Sequence, residues 1–383
     1  MLIAATRAAI DKSNLGLLVV LTAFLLGACD RDGLRVYEYR PPEDTNDGWP
    51  VGDLQDYDLD PAPIMAMIER ILDGSFVNIH SVLIARNGTL LLEEYFPGRS
   101  VDHPYTDFDR ETLHELHSVT KSVNATLVGM TVCDGRIPSV DERAAAYFPE
   151  FADIFGADPA KREIRVRHLL SMSAGLQYDE WSYPYGDPRN SHTLMDRAPD
   201  QIRWALAQPL VSAPGERFTY SSGLAITLGA IVEKATGMRA DEFAARHLFP
   251  ILGISQYYWY RYPSGIVQTG GGLMMRPRDM AKIGQLHLNR GVWQGQRLVC
   301  EQWIEVATTR QAADFEYGYQ WWIDRFDVGG VVYRGYSARG RAGQFIFVLP
   351  EIELVAVFTG GNDNELWDQP IEMMTQYVLL AVH

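Results

Sequence analysis

Apolar positions recur along this chain with two periods. Ile64, Met67, Ile68 and Ile71 fall three and four residues apart, and this spacing predicts a helix over 61–72. Strand-like apolar runs then cover 79–85 and 89–95. Asn87-Gly88 joins them, a dipeptide suited to the two positive-φ positions of a tight hairpin turn. From Ser118 to about Cys133 the helical period returns, with Val119, Val123, Leu127 and Met130 on one stripe and Asp134-Gly135 as the stop. Further helices are predicted at 166–172, 198–207, 223–236, 240–248 and 277–289; Pro277 suits the first turn of the last. Strand patterns resume at 318–323, 331–334, 344–349 and 354–359, and a helix over about 365–382 closes the chain. Strands at both ends with helices between predict an α/β (α+β) fold. Its antiparallel sheet would be flanked by helices and built from both chain ends, with a mostly helical region inserted. The expected division gives 61–116 and 291–383 to the sheet part and 117–290 to the helical part.

The first sixty residues read differently. Residues 15–26 form a twelve-residue apolar run behind Arg7 and Lys12, a length that suits a signal-peptide core and is short for a bilayer span. The run ends in Leu26-Gly27-Ala28-Cys29, which resembles the lipobox of bacterial lipoproteins. The expectation is a signal peptide over 1–28, lipidation at Cys29 and a Pro-, Asp- and Gly-rich tether over 29–60. One folded domain would occupy 61–383, in a protein anchored in a membrane by lipid and facing the periplasm or cell exterior. The two remaining cysteines, Cys133 and Cys300, permit a disulfide in such a compartment. Cys133 on its apolar helix reads first as a small buried hydrophobe.

Composition narrows the partners. A net charge of −15 argues against nucleic acid as a partner, since phosphate binding wants a basic patch. No Cys/His cluster has zinc-ligand spacing, and no metal or cofactor is expected. His114 and His117 lack a third ligand nearby and read as structural. The chain has only five lysines, and one of them completes Ser118-Val119-Thr120-Lys121. Residues i and i+3 share a helix face, so this spacing brings a hydroxyl and an amine into reach of each other. A serine becomes a nucleophile when a neutral amine takes its proton, which makes Ser-x-x-Lys a compact acyl-transfer unit.

Several further segments carry a resemblance. They are His117–Ser122, His168–Leu176, Pro214-Gly215 through Tyr220-Ser221-Ser222, Gly270–Leu273, Arg276–Lys282 and Tyr317–Trp322. Together they resemble the serine β-lactamase-like, penicillin-binding superfamily, and most closely the class C-related esterases and the 6-aminohexanoate-dimer hydrolase-like amidases. The resemblance implies Ser118 as the acylated nucleophile, Lys121 as its partner and Tyr220 as a tyrosine sharing the base role. A phenol facing an ammonium is expected to have a lowered pKa. It also implies an oxyanion hole from the backbone N–H groups of Ser118 and Gln344.

Two positions depart from the family pattern. Ser222 stands where Tyr-x-Asn has its Asn, and Gly340-Arg341-Ala342-Gly343-Gln344 replaces Lys-Thr-Gly. Arg341 reads either as a carboxylate clamp or as a surface arginine, and Ala342 and Gly343 as small residues that admit substrate. Tyr178, Trp181, Tyr183 and Tyr185 form one aromatic cluster and Trp321-Trp322 another; each could line the cleft or pack in the core. The expected activity is therefore an exported serine hydrolase acting on a small-molecule ester or amide. The alternatives are a penicillin-interacting β-lactamase or DD-peptidase, and a catalytically silent binding lipoprotein. The absent Lys-Thr-Gly lysine weighs against β-lactam substrates.

Overall fold

A computed structural model describes residues 37–100, 104–363 and 366–382. The expected signal peptide and the lipidation site Cys29 lie outside the described residues. The unit from residue 39 onward is organised around a six-stranded antiparallel sheet. Its strands are β1 (Ile79–Arg86), β2 (Thr89–Tyr95), β3 (Trp322–Val328), β4 (Val331–Gly340), β5 (Gln344–Leu349) and β6 (Leu354–Gly360), in the order β3-β4-β5-β6-β1-β2. Both chain ends thus feed one sheet, as expected. Asn87 and Gly88 take φ of 50° and 76°, and Arg86 pairs with Thr89 across them. Every residue of β1, β5 and β6 is buried, because helices cover both faces at the centre of the sheet. Edge strand β3 alternates buried and exposed positions.

Helix α1 (Pro61–Leu72) begins where the Asp60 carboxylate accepts the Ala62 N–H at 2.9 Å, and it buries Ile64, Met67, Ile68 and Ile71. Helix α2 (Val119–Cys133) is buried almost all round. It packs against α3 (Ser222–Thr236), with the Asn124 side-chain amide donating to the Ala225 carbonyl at 3.1 Å. Helix α4 (Ala240–His247) follows.

Helix α5 (Pro277–Leu288) lies on the sheet rather than in the helical region. Only glycine at position 284 leaves room for Ile346 and Val355, each 2.7 Å from where a Cβ would stand. The boundary expected at 290 therefore falls before α5.

Four other expectations change. Residues 39–60 are not a free tether. Gly52 N–H bonds to Leu90 O at 3.0 Å and Leu90 N–H to Pro50 O at 2.9 Å, while Trp49, Leu54 and Leu59 are buried. This segment covers the edge strand β2, whose outer backbone groups would otherwise lack partners. The strand expected from 318 starts at Trp322, because Gln320 turns back at φ 63° and its carbonyl accepts the Ser122 hydroxyl at 2.6 Å. The closing helix runs Gln369–Met373 and loosens into a π turn over Met374–Val378. Cys133 is exposed at the end of α2 and is disulfide-bonded to Cys300, with Cα atoms 5.7 Å apart. Cys300 caps a short helix, α6 (Glu301–Ala307), that the periodicity did not mark.

Candidate active site

Ser118 sits at the N-cap of α2. The preceding His117 takes φ 46°, a sparsely populated conformation for a side chain with a Cβ, and this turns the chain sharply into the helix. Lys121 follows one turn later and is 1% exposed. Its Nζ donates to Ser118 Oγ at 2.8 Å and to the Gly270 carbonyl at 2.5 Å. The Gly270–Gly272 loop therefore holds the lysine and forms one wall of the cleft. Burial pulls the Lys121 amine down to about 8, against an opposing pull from Glu180.

Tyr220 lies just before α3. Its ring centroid is 4.9 Å from Lys121 Nζ, and its phenol stands close enough to Ser118 for the serine side chain to pull its pKa down. The expected lowering of its pKa is reversed. Burial raises it well above the ordinary value, reinforced by Tyr317, Glu180 and Tyr185, and the nearby Ser118 side chain only partly offsets this. The phenol is thus kept protonated.

Glu180, which the motif reading passed over, completes the cluster. Its buried carboxylate accepts the Ser222 N–H at 2.8 Å, the Ser222 hydroxyl at 2.7 Å and the Tyr185 hydroxyl at 2.9 Å. Burial raises its pKa, but His192, Lys121 and the Ser222 bonds outweigh that and hold it below the ordinary range. Ser222 therefore acts through Glu180: it anchors the carboxylate that faces the lysine. No local sequence signal separates Glu180 from the chain's other acidic residues.

A cleft of about 600 Å³ opens over Ser118, lined by Glu180, Tyr185, Ser222, Gly270, Tyr260 and Arg341 among others. The strand hairpin reaches Ser118 through Gly340, where an added Cβ would lie 3.2 Å from the Ser118 nitrogen.

Gln344, expected as an oxyanion donor, is one hairpin turn too far along. It pairs with Gly340 across the turn, and its buried side chain donates to the Gly360 carbonyl at 2.6 Å. Gly343, at φ 93°, serves the same turn and faces Gly360 rather than the cleft. Arg341 does line the cleft, but its guanidinium is paired with Asp363 at 3.1 Å and lies over the Tyr185 ring.

The aromatic candidates divide. Tyr178 is core, its hydroxyl directed at Met195 Sδ, 3.7 Å away. Trp321 is fully buried against His287 and Tyr336. Trp181 is exposed and stacks on Tyr220 at 5.1 Å, but it is not among the residues that line the cleft.

This fold, a central helix beside an antiparallel sheet, has known counterparts. The Beta-lactamase family model matches residues 79–365, and the chain belongs to that family of hydrolase fold. A 6-aminohexanoate-dimer hydrolase from Paenarthrobacter ureafaciens is 28% identical over 309 residues, covering 72% of this chain and 70% of that protein. Two solved structures share the fold. A family VIII carboxylesterase has a TM-score of 0.63 at 17% identity, covering 84% of this chain and 96% of its own. EstCE1, a hydrolase with promiscuous acyltransferase activity, has a TM-score of 0.63 at 18% identity, covering 85% and 100%.

Proposed function

We propose that this protein is an exported serine hydrolase that cleaves an ester or amide through an acyl-enzyme on Ser118. The observation that carries this is the 2.8 Å contact between Ser118 Oγ and an almost wholly buried Lys121 amine. In its neutral form Lys121 takes the Ser118 proton, and Oγ bonds to the substrate carbonyl carbon. The oxyanion that forms is met by the Ser118 N–H. We assign the second donor to the N–H of Arg341 instead of Gln344, because Arg341 lines the cleft and directly follows Gly340, where an added Cβ would lie 3.2 Å from the Ser118 nitrogen. Collapse of the intermediate breaks the bond to the leaving group, which takes a proton from the Tyr220 hydroxyl, and Lys121 returns its proton to Tyr220. Water then reverses the sequence: it gives its proton to the same pair, displaces Ser118 Oγ and releases the acid.

The amidase and esterase among the similar proteins support this substrate class. The Arg341–Asp363 pair argues against a free carboxylate clamp of the kind a penicillin would need. The Cys133–Cys300 disulfide accords with export, and we extend the proposal to a lipid anchor at Cys29. A fluorophosphonate probe is expected to label Ser118 in the wild-type protein and to leave Ser118→Ala unlabelled. A folded wild-type protein that resists the probe would overturn the proposal.

A further inference from the structure

We infer that the group leaving Ser118 carries a flat apolar ring, received by an aromatic shelf around Tyr220. The shelf is drawn from three separate segments. Trp181, from the loop after Gly175, stacks on Tyr220 with ring centroids 5.1 Å apart and planes 22° apart. Trp322, at the start of β3, lies 6.0 Å from the same ring. Phe315 stacks on Phe218 at 4.3 Å and 7°, and meets Trp322 edge-on at 5.8 Å. Trp181 is 58% exposed and Phe315 37% exposed, so two apolar rings of this network face solvent while the Tyr220 and Phe218 rings they stack on are buried.

These rings stand on braced segments. The Asp179 carboxylate accepts the N–H groups of Trp181 and Ser182 at 3.2 and 2.9 Å, and the buried Asn190 amide donates to the Glu180 and Tyr183 carbonyls at 3.1 and 2.7 Å. Asp314 accepts the Phe218 N–H at 2.8 Å, which ties the Phe315 segment to the approach to Tyr220. A preorganised aromatic surface of this kind favours a flat apolar ligand, since little rotamer freedom is lost when it is covered.

The side of the scissile bond follows from the proposed function, on which this inference rests. Tyr220 hands its proton to the leaving atom, so that atom lies against the Tyr220 hydroxyl, and whatever is attached to it passes over the rings that flank the phenol. The polar cleft with Glu180, Tyr260 and Arg341 is left for the acyl part.

Acetate esters of methanol, benzyl alcohol and 2-naphthylmethanol provide the test, because these alcohols have similar acidity and differ in the ring. In the wild-type chain, kcat/KM is expected to be about tenfold or more higher for the two ring-bearing esters than for methyl acetate. Trp181→Ala and Phe315→Ala are each expected to erase most of that preference, chiefly through KM, while Trp181→Tyr retains it. Fluorophosphonate labelling of Ser118 checks that each variant is folded. A wild-type protein that labels but shows no preference would overturn the inference. So would a preference that survives both alanine variants, or an equal loss on all three esters, which would reduce the rings to props for Tyr220. If neither labelling nor hydrolysis of any ester occurs, the serine hydrolase reading itself falls.

Discussion

Burial draws the Lys121 amine down to about 8 and the Glu180 carboxylate resists it, so the charge of the proposed base depends in part on a residue 59 positions away in the chain. The sign of the pH dependence follows. Below about 8 Lys121 gains a proton and cannot accept one from Ser118, so kcat/KM is expected to fall as pH drops through that value and to level off above it. Glu180→Gln removes the charge that favours the ammonium. The acid limb of the profile should therefore move to lower pH. A rate that drops without any movement of the limb would confine Glu180 to holding Ser222 and Tyr185 in place. The residues legible beforehand were those with a local signature: Ser118 and Lys121 are one helical turn apart, and Tyr220 stands in a recognisable run. Glu180 is one of 49 acidic residues, and nothing local marks it. Its role exists only because the fold brings the loop after Gly175 against α2 and α3.

The hairpin between β4 and β5 fixes where the substrate carbonyl can sit. Gly340 ends β4 against the Leu116 carbonyl and the Ser118 nitrogen, where a methyl group has no room. Gly340→Ala should push the hairpin away from the nucleophile and lower kcat by about a hundredfold, the scale expected when reacting groups are displaced by an ångström. Stability should fall as well, because the added methyl group meets the Leu116 backbone carbonyl inside a buried, paired strand. Steady-state kinetics beside a melting curve would check both, and unaltered kcat would remove this hairpin from the oxyanion site. Elements set by local chemistry were legible at this scale. The Asn87-Gly88 hairpin, α1 and β5 need only their own residues, and each lies where the pattern put it. Register inside the Gly-rich turn was not legible. Arg341-Ala342-Gly343 adopts positive φ at Ala342 and Gly343, and this coiling shifts the cleft-facing position from Gln344 back to Arg341.

Over the whole chain, contacts distant in sequence hold the nucleophile helix between its two supports. Helix α2 starts at the sheet hairpin and ends at Cys133, whose disulfide reaches 167 residues forward to Cys300 at the head of α6. The segment over 39–60 closes the β2 edge, and Asp60 N–H meets the Ala381 carbonyl at 2.8 Å, so the two ends of the domain are joined. Hydrophobic periodicity cannot show such links, since it reports which face a residue buries and not what it meets. That is why the tether reading and the lone-hydrophobe reading of Cys133 both gave way. The disulfide closes a long loop, and removing it frees the unfolded chain more than it disturbs the native packing. Cys133→Ser combined with Cys300→Ser should therefore cost about 2–4 kcal/mol, read as a lower denaturation midpoint. Because the bond lies at the far end of α2 from Ser118, the proposed hydrolysis at Ser118 should persist at low temperature in the double variant. The wild-type protein treated with reductant should match the variant. Equal midpoints for oxidised wild type and double variant would show that the bond adds nothing to the fold. An early loss of activity, ahead of unfolding, would show instead that the disulfide positions the Ser118 end of the helix.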